Sequence, residues 1–224
     1  MEKTKGMDKY LEAIYVLHSE GQTVVGSKLA EYLGVTRPTV TQTVQRLVSV
    51  GFVKHSDSRE ISLTKLGAER AETIIRRHRL IERWLTDVLE LDWAEAHEEA
   101  SRLEHAISDR VESRLAKILG FPTTCPHGNV IPGSGVPIAK AIPLSEMSIP
   151  STVTVNRIFE HAEEDAETLR FFETNGFVPN AKIFLLSSTP ATGEILAQIR
   201  DSKITIPFEI AKRILVTMVD QKIR

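Results

Sequence analysis

Apolar positions in the first half of the chain recur at helical spacing. Leu11, Ile14 and Tyr15, with neighbouring Leu17, mark an amphipathic helix from about Met7 to Ser19. Leu29, Ala30 and Leu33 mark a short second helix that Gly34 stops. Thr36 is a good N-cap for a third, with Pro38 tolerable in its first turn and Val40, Val44, Leu47 and Val48 as its buried stripe. After Gly51 the spacing shortens to two. Phe52 to His55, a polar turn at Ser56-Asp57-Ser58, and Ile61 to Thr64 read as a hairpin. Helix, helix, turn, helix and hairpin is the order of a winged helix-turn-helix.

From Leu66 the helical period returns, with Ile74, Ile75, Ile81, Trp84, Leu85, Val88 and Leu89 as the apolar face. Asp92 followed by Glu95 resembles a capping box, and Ser108 caps a last helix ending at Gly120. These helices carry more apolar surface than a small DNA-reading domain needs, so part of it is expected to meet a second subunit. Beyond Pro150 the runs Thr152–Val155, Ile183–Leu186, Ile195–Ile199 and Ile214–Val219 predict strands, with one helix across Glu163–Asn175. About 75 residues of this kind suggest a small barrel.

Between the two regimes, six of the ten prolines fall at positions 122–150 beside Gly128, Gly133 and Gly135, which predicts an irregular linker with extended pieces. The expected division is a winged helix-turn-helix at 1–66, a helical dimerisation and metal-binding module at 67–121, a Pro-rich linker at 122–149 and a β-rich domain at 150–224. The fold class is α+β.

Composition narrows the class. With 42% apolar and 26% charged residues in 224, the chain is an ordinary globular protein, and no apolar run is long enough to span a bilayer. The N-terminus lacks the apolar stretch of a secretion signal, so a cytoplasmic location is expected. A single cysteine, Cys125, excludes an internal disulfide framework and reads as a bystander.

The net charge of −2 hides an asymmetry. From Gln22 to Ser56 the only acid is Glu31, against Lys28, Arg37, Arg46 and Lys54, whereas Glu90 to Glu104 is dense in acids. A basic front and an acidic, histidine-bearing middle suggest two different ligands.

The third helix points to the first of these. Its buried stripe leaves Thr39, Gln42, Gln45 and Arg46 on the opposite face, with Thr41 beside it and no acid. Gln and Arg can bond base edges in the major groove, and Thr can contact phosphate or a thymine methyl. An ordinary polar face is the bland alternative, which the helix-turn-helix context and Arg59 at the hairpin tip outweigh. Lys28, Lys54 and Arg59 suit phosphate contacts.

The second ligand is indicated by His78 and Glu82, four apart on one helix, and by His97, Ser101, Glu104 and His105, which project from one face of the next. Imidazole and carboxylate together suit manganese, iron, zinc, cobalt or nickel rather than copper(I). Singly, each residue could be ordinary surface charge; their joint spacing favours a metal site. Such clusters also activate water in metallohydrolases, but the chain has no His-Glu-x-x-His signature, phosphate loop or nucleophile elbow, and the expectation is that it is not an enzyme.

Thr36-Arg37-Pro38-Thr39-Val40-Thr41-Gln42-Thr43-Val44, Arg77 to Arg83, His97-Glu98-Glu99-Ala100, Glu104 to Asp109, and Cys125-Pro126-His127-Gly128-Asn129 before Ile131-Pro132 closely resemble the diphtheria-toxin-repressor family, which includes iron- and manganese-dependent repressors. The resemblance spans essentially the whole chain. It implies a homodimer that binds palindromic operators when divalent iron or manganese is abundant and represses metal-uptake genes, with two metal sites per subunit and a C-terminal SH3-like barrel. His78, Glu82 and His97 match the ancillary metal site, to which the barrel would add Glu164 and Glu167. Glu104 and His105 match the primary site. Ser101 stands where the family has cysteine or glutamate, and Lys9 where it has methionine or aspartate; an ammonium has no lone pair to give. Asp8 or Glu12 could supply the missing oxygen. The absence of a thiolate at Ser101 leans toward manganese. A winged-helix regulator whose primary site has degenerated and which answers another signal is the alternative.

Overall fold

The computed structural model describes residues 2–56, 59–163, 165–189 and 191–219, with side chains from residue 6 onward. The N-terminal unit runs α1 (Glu2–Ser19), α2 (Gly26–Tyr32), α3 (Arg37–Ser49), β1 (Val53–His55) and β2 (Ile61–Leu63). Thr36 caps α3, its hydroxyl accepting from the Thr39 amide, and Pro38 sits in the first turn where no amide is needed. Val40, Val44 and Leu47 turn inward onto Leu11, Ile14 and Leu29, so α3 is held against α1 by one apolar stripe. The hairpin pairs antiparallel, Val53 opposite Leu63 and His55 opposite Ile61. Ser56 begins its tip; the expected turn residues Asp57 and Ser58 lie outside the described residues.

The middle module is α4 (Lys65–Asp87), α5 (Trp93–Leu103) and α6 (Asp109–Ile118). Thr64 caps α4, and Gly67 in its first turn lies under Phe52, where a Cβ would come within 2.0 Å of the Phe52 carbonyl oxygen. Only glycine lets this long helix start against the wing. Asp92 and Ser108 cap α5 and α6 as their spacing predicts. Arg77 bonds Asp109 and Glu112, and Arg76 bonds Glu112, fastening α6 to α4. No helix among the described residues is long and apolar enough to cross a membrane.

The C-terminal SH3-like unit is a six-stranded antiparallel sheet of order β3-β8-β4-β5-β6-β7. Its strands are β3 (Ile142–Pro143), β4 (Ser151–Ile158), β5 (Lys182–Thr189), β6 (Glu194–Ile199), β7 (Ser202–Pro207) and β8 (Ile214–Met218), with α7 (Ala166–Thr174) and the short α8 (Phe208–Ala211) against it. Phe172 and Phe177 fill its core, which extends to Trp93 and Ala94 at the start of α5. The C-terminal sheet and the helical module therefore share packing.

One expectation, the start of α7, is corrected here. The Pro-rich segment is irregular, and within it Cys125 to Asn129, Ile131 and Pro132 are buried. Gly128 makes that possible, since with φ +94° its Cα approaches β4 so closely that a Cβ would stand 2.5 Å from the Asn156 carbonyl oxygen. Helix α7 starts at Ala166, not at Glu163, because the Asp165 carboxylate accepts from the Glu167 and Thr168 amides and so sets the N-terminus. Glu163 is left outside the helix, after a 3-10 turn at Glu160–Ala162.

Candidate metal centre and nucleic-acid interface

Three groups of donors converge where the units meet. The first is Glu12 on α1 with Glu104 and His105 just past the end of α5. Glu104 Oε1 lies 3.4 Å from His105 Nε2. One carboxylate oxygen of Glu12 is buried with no hydrogen-bond partner among the described residues. Burial, and then the Glu104 charge, push Glu12 up to about 8. A buried carboxylate oxygen without a donor, beside a second carboxylate, has the chemistry that suits a cation.

Asp8 is placed differently from Glu12. Its two oxygens accept from Arg70 Nε and Nη2 at 3.0 and 2.7 Å, while His105 Nδ1 is 3.9 Å away. Lys9 and Ser101 are exposed on the lining of a cavity of about 460 Å³ that also contacts Glu12, His78, His97, Glu104, His105 and Glu160.

The second group is His78, Glu82 and His97. Glu82 Oε1 is 2.9 Å from His78 Nε2 and 3.0 Å from His97 Nδ1, and the two imidazole nitrogens are 3.2 Å apart. The other face of His78 meets Glu104, Nδ1 to Oε2 at 2.7 Å. Burial alone would strip His78 of its proton, but Glu82 and the bonds to Glu104 and Glu82 hold it well above the usual imidazole range. Glu82 has no solvent exposure; burial raises it, but His78 and His127 outweigh that and keep it well below the carboxylate range.

The third group, Glu82, Cys125 and His127, was not expected from sequence. Cys125, read from sequence as a bystander, has its Sγ buried 3.8 Å from His127 Nδ1. His127 Nδ1 is 3.1 Å from Glu163 Oε1 and 3.7 Å from Glu82 Oε1. The loop is held by Asn129 Nδ2, which donates to the Ile158 carbonyl and to Glu163 Oε1, and by the Ile158 amide, which donates to the His127 carbonyl. The ring of Trp93 stands at 83° to that of His127 with centroids 4.7 Å apart. A Cys-x-His spacing in a loop was the only signal in the chain, and periodicity does not read it.

Of the expected barrel ligands only Glu167 lies among the described residues, and it belongs to none of these groups. Glu167 is exposed in the first turn of α7, and Glu164 lies outside the described residues. Glu163 takes the inward position, its Oε2 3.8 Å from His97 Nδ1, because the turn before Asp165 directs it there. Glu160 pairs with buried Arg79 beside it.

On α3, Arg37, Pro38, Thr39, Thr41, Gln42, Gln45 and Arg46 are all exposed, as are Thr36 before it and Arg59 on the hairpin; Lys28 on α2 is half-buried. Thr41 donates to the Arg37 carbonyl and Thr36 bonds Thr39, so these hydroxyls are oriented by the helix, whereas no side-chain hydrogen bond or ion pair is seen for Gln42, Gln45 or Arg46 among the described residues. The face is basic and free of acids, which fits a major-groove reader.

The sequence matches the iron-dependent repressor N-terminal DNA-binding domain over residues 3–61, the iron-dependent repressor metal-binding and dimerisation domain over 64–133, and the FeoA domain over 142–218. It is 37% identical over 223 residues to the iron-dependent repressor IdeR of Mycobacterium leprae (strain TN), covering 95% of this chain and 96% of that one. It is 44% identical over 126 residues to the diphtheria toxin repressor of Corynebacterium diphtheriae, 56% of each chain. The fold superposes on a solved manganese-dependent transcriptional repressor in complex with manganese with a TM-score of 0.83 at 32% identity, covering 95% of this chain and 100% of that one. Architecture, donor clusters and sequence agree: the chain belongs to the family of metal-dependent, DNA-binding transcriptional repressors of metal homeostasis typified by the iron-dependent and diphtheria toxin repressors, a family of regulators and not of enzymes.

Proposed function

We propose that this chain acts in the cytoplasm as a homodimeric repressor whose hold on palindromic operators is set by manganese or ferrous iron, with manganese favoured. The observation that carries this reading is the span of the Glu12, Glu104 and His105 group, with one donor on the helix that backs the recognition helix and two on the helical module. A bound divalent ion supplies the positive charge that lets these two carboxylates approach. In doing so they fix α1, and α3 packed on it, relative to the module that carries the partner subunit. Two recognition helices must stand about one DNA turn apart, or a multiple of it, to read a palindrome. An ion preferring that spacing shifts the population toward it by its difference in affinity for the two arrangements.

Glu12 is the first-helix donor we assign, because Asp8 is already held by Arg70. Ser101 offers only a weak hydroxyl, and Lys9 is exposed to solvent. Oxygen and nitrogen donors without a thiolate favour a harder ion, hence manganese. His78, Glu82 and His97 form the ancillary set. Gln42, Gln45 and Arg46 read bases, supported by Thr36, Arg37, Pro38, Thr39 and Thr41, while Lys28, Lys54 and Arg59 hold phosphates. Exposed Val111 and Ile118, seven apart on α6, with Phe121 beyond it, supply the apolar face for the partner subunit.

The test is the affinity for DNA selected by the protein from a random pool in manganese, remeasured with manganese, with anaerobic ferrous iron and with chelator. A gain of tenfold or more with metal is expected. Equal affinity in all three leaves a DNA-binding dimer with no metal switch.

A further inference from the structure

Two carboxylates, Glu82 from α4 and Glu163 from the C-terminal unit, stand between two different donor pairs. On one side are His78 and His97: Glu82 Oε1 is 2.9 and 3.0 Å from their ring nitrogens, and Glu163 Oε2 faces His97 at 3.8 Å. On the other are His127 and Cys125: Glu163 Oε1 lies 3.1 Å and Glu82 Oε1 3.7 Å from His127 Nδ1, which is 3.8 Å from the thiol sulfur. The two oxygens of Glu163 are thus divided between the sides. The second oxygen of Glu82 is buried and without a hydrogen-bond partner among the described residues.

We propose that these six side chains form a two-metal centre in which Glu82 and Glu163 bridge adjacent divalent ions, one completed by His78 and His97 and the other by Cys125 and His127. This deepens the metal-dependent reading above and rests on it. One ion cannot use the array well. Its ligands would mix a thiolate with three imidazoles from opposite sides of the carboxylates, and the free oxygen of fully buried Glu82 would still lack a partner, which is costly in a dry site. Two ions about 3.5–4 Å apart, the spacing common to carboxylate-bridged pairs, employ every donor. The halves differ in character. Nitrogen and oxygen donors suit manganese or ferrous iron, whereas the thiolate half favours ferrous iron, cobalt or zinc. Loading the thiolate half releases the Cys125 proton, so no oxidant or reductant is needed.

The experiment uses the full chain stripped of metal and then titrated with cobalt(II), followed by absorption and by metal analysis after gel filtration. Expected are a near-ultraviolet thiolate-to-cobalt band, abolished by Cys125→Ser together with one bound ion per subunit; one ion lost in His97→Ala with the band kept; and two lost when both changes are combined. If either variant empties the same ion and the pair empties no more, the array holds a single ion and the proposal is overturned. Manganese loading of the unaltered chain gives a check that no folding defect can blur. Adjacent ions couple, so part of the bound manganese should lose its six-line paramagnetic resonance signal. Full signal from all bound manganese, even when zinc is excluded and the array is saturated, also overturns it. Operator binding is measured on the same samples. Metal-dependent binding with one ion in the array sinks only the bridge, whereas metal-independent binding sinks the wider reading.

Discussion

Arg157 on β4 reaches across the molecule to Glu20 just after α1, donating from Nη2 to Oε2 at 2.8 Å and from Nε to Oε1 at 3.4 Å. The side chains are 6% and 11% exposed, so the pair is nearly dry. A bulge after Val155 turns Arg157 toward the DNA-reading unit, and its Nη1 also donates to the Ala139 carbonyl. The ring of His161 lies 4.6 Å from that of Tyr32 on α2. The C-terminal unit thus grips the winged helix at two points.

Breaking one side of that pair should be felt in stability. Arg157→Met strands a shielded carboxylate, and buried pairs cut this way cost about 3–5 kcal/mol; residual exposure places the expectation at the lower end. Chemical denaturation and protease sensitivity of residues 133–141 measure it. Wild-type stability in the variant means that the contact contributes nothing.

The exposed face of α3 separates base reading from phosphate holding. Gln42→Ala should weaken binding by about 1–3 kcal/mol and relax preference at one base pair. Lys54→Ala should weaken all sequences alike and lower the slope of log affinity against log salt by about 1. Binding-site selection and salt titrations distinguish them, and identical behaviour of the two variants contradicts the assignment of α3 to the groove.

Proton release should accompany metal uptake at the Glu12 group. With Glu12 held near 8 by burial and Glu104, most molecules at pH 7 carry a proton there that metal must displace. Manganese affinity of this site should therefore rise with pH up to about 8 and then level. The folded metal-free chain keeps this proton to higher pH than the unfolded chain does, so the contribution is present below the ordinary value of 4.5 and is lost as pH climbs through about 8. Calorimetry in buffers of different ionisation enthalpy reads the released proton, and Glu12→Gln should abolish that release.

Ile118 and Phe121 are 71% and 68% exposed, an unusual display of apolar surface for a chain standing alone. Ile118→Asp should dissociate the dimer and reduce operator affinity at least tenfold, with the metal load per subunit unchanged. Sedimentation equilibrium decides it; a dimer that persists moves the interface elsewhere.

Local chemistry in the sequence locates Thr36, Asp92 and Ser108 as helix caps because each cap is decided within four residues. The alternation of β4, β5, β6 and β8 is legible for the same reason, while β7 escapes notice because Lys203-Ile204-Thr205-Ile206 is short and half polar. His78, Glu82 and His97 follow from helical spacing. Cys125 and His127 do not, since their nearness to Glu82 depends on Gly128 docking the loop on β4, a contact between distant segments. The helical reading of Glu163 fails because Asp165 caps the helix and sets its start at Ala166.

His78 has a last consequence. Its two ring nitrogens face separate carboxylates, Glu104 through Nδ1 and Glu82 through Nε2. A neutral imidazole that gives its Nε2 lone pair to an ion must keep its proton on Nδ1, where it can only be donated to Glu104. A metal held by the inner array through His78 Nε2 would therefore select the tautomer that donates to Glu104 and steadies it for the group containing Glu12. Loading of the proposed interior array would then precede and prepare the site nearest the DNA reader, so that metal concentration would be read in steps instead of at a single threshold.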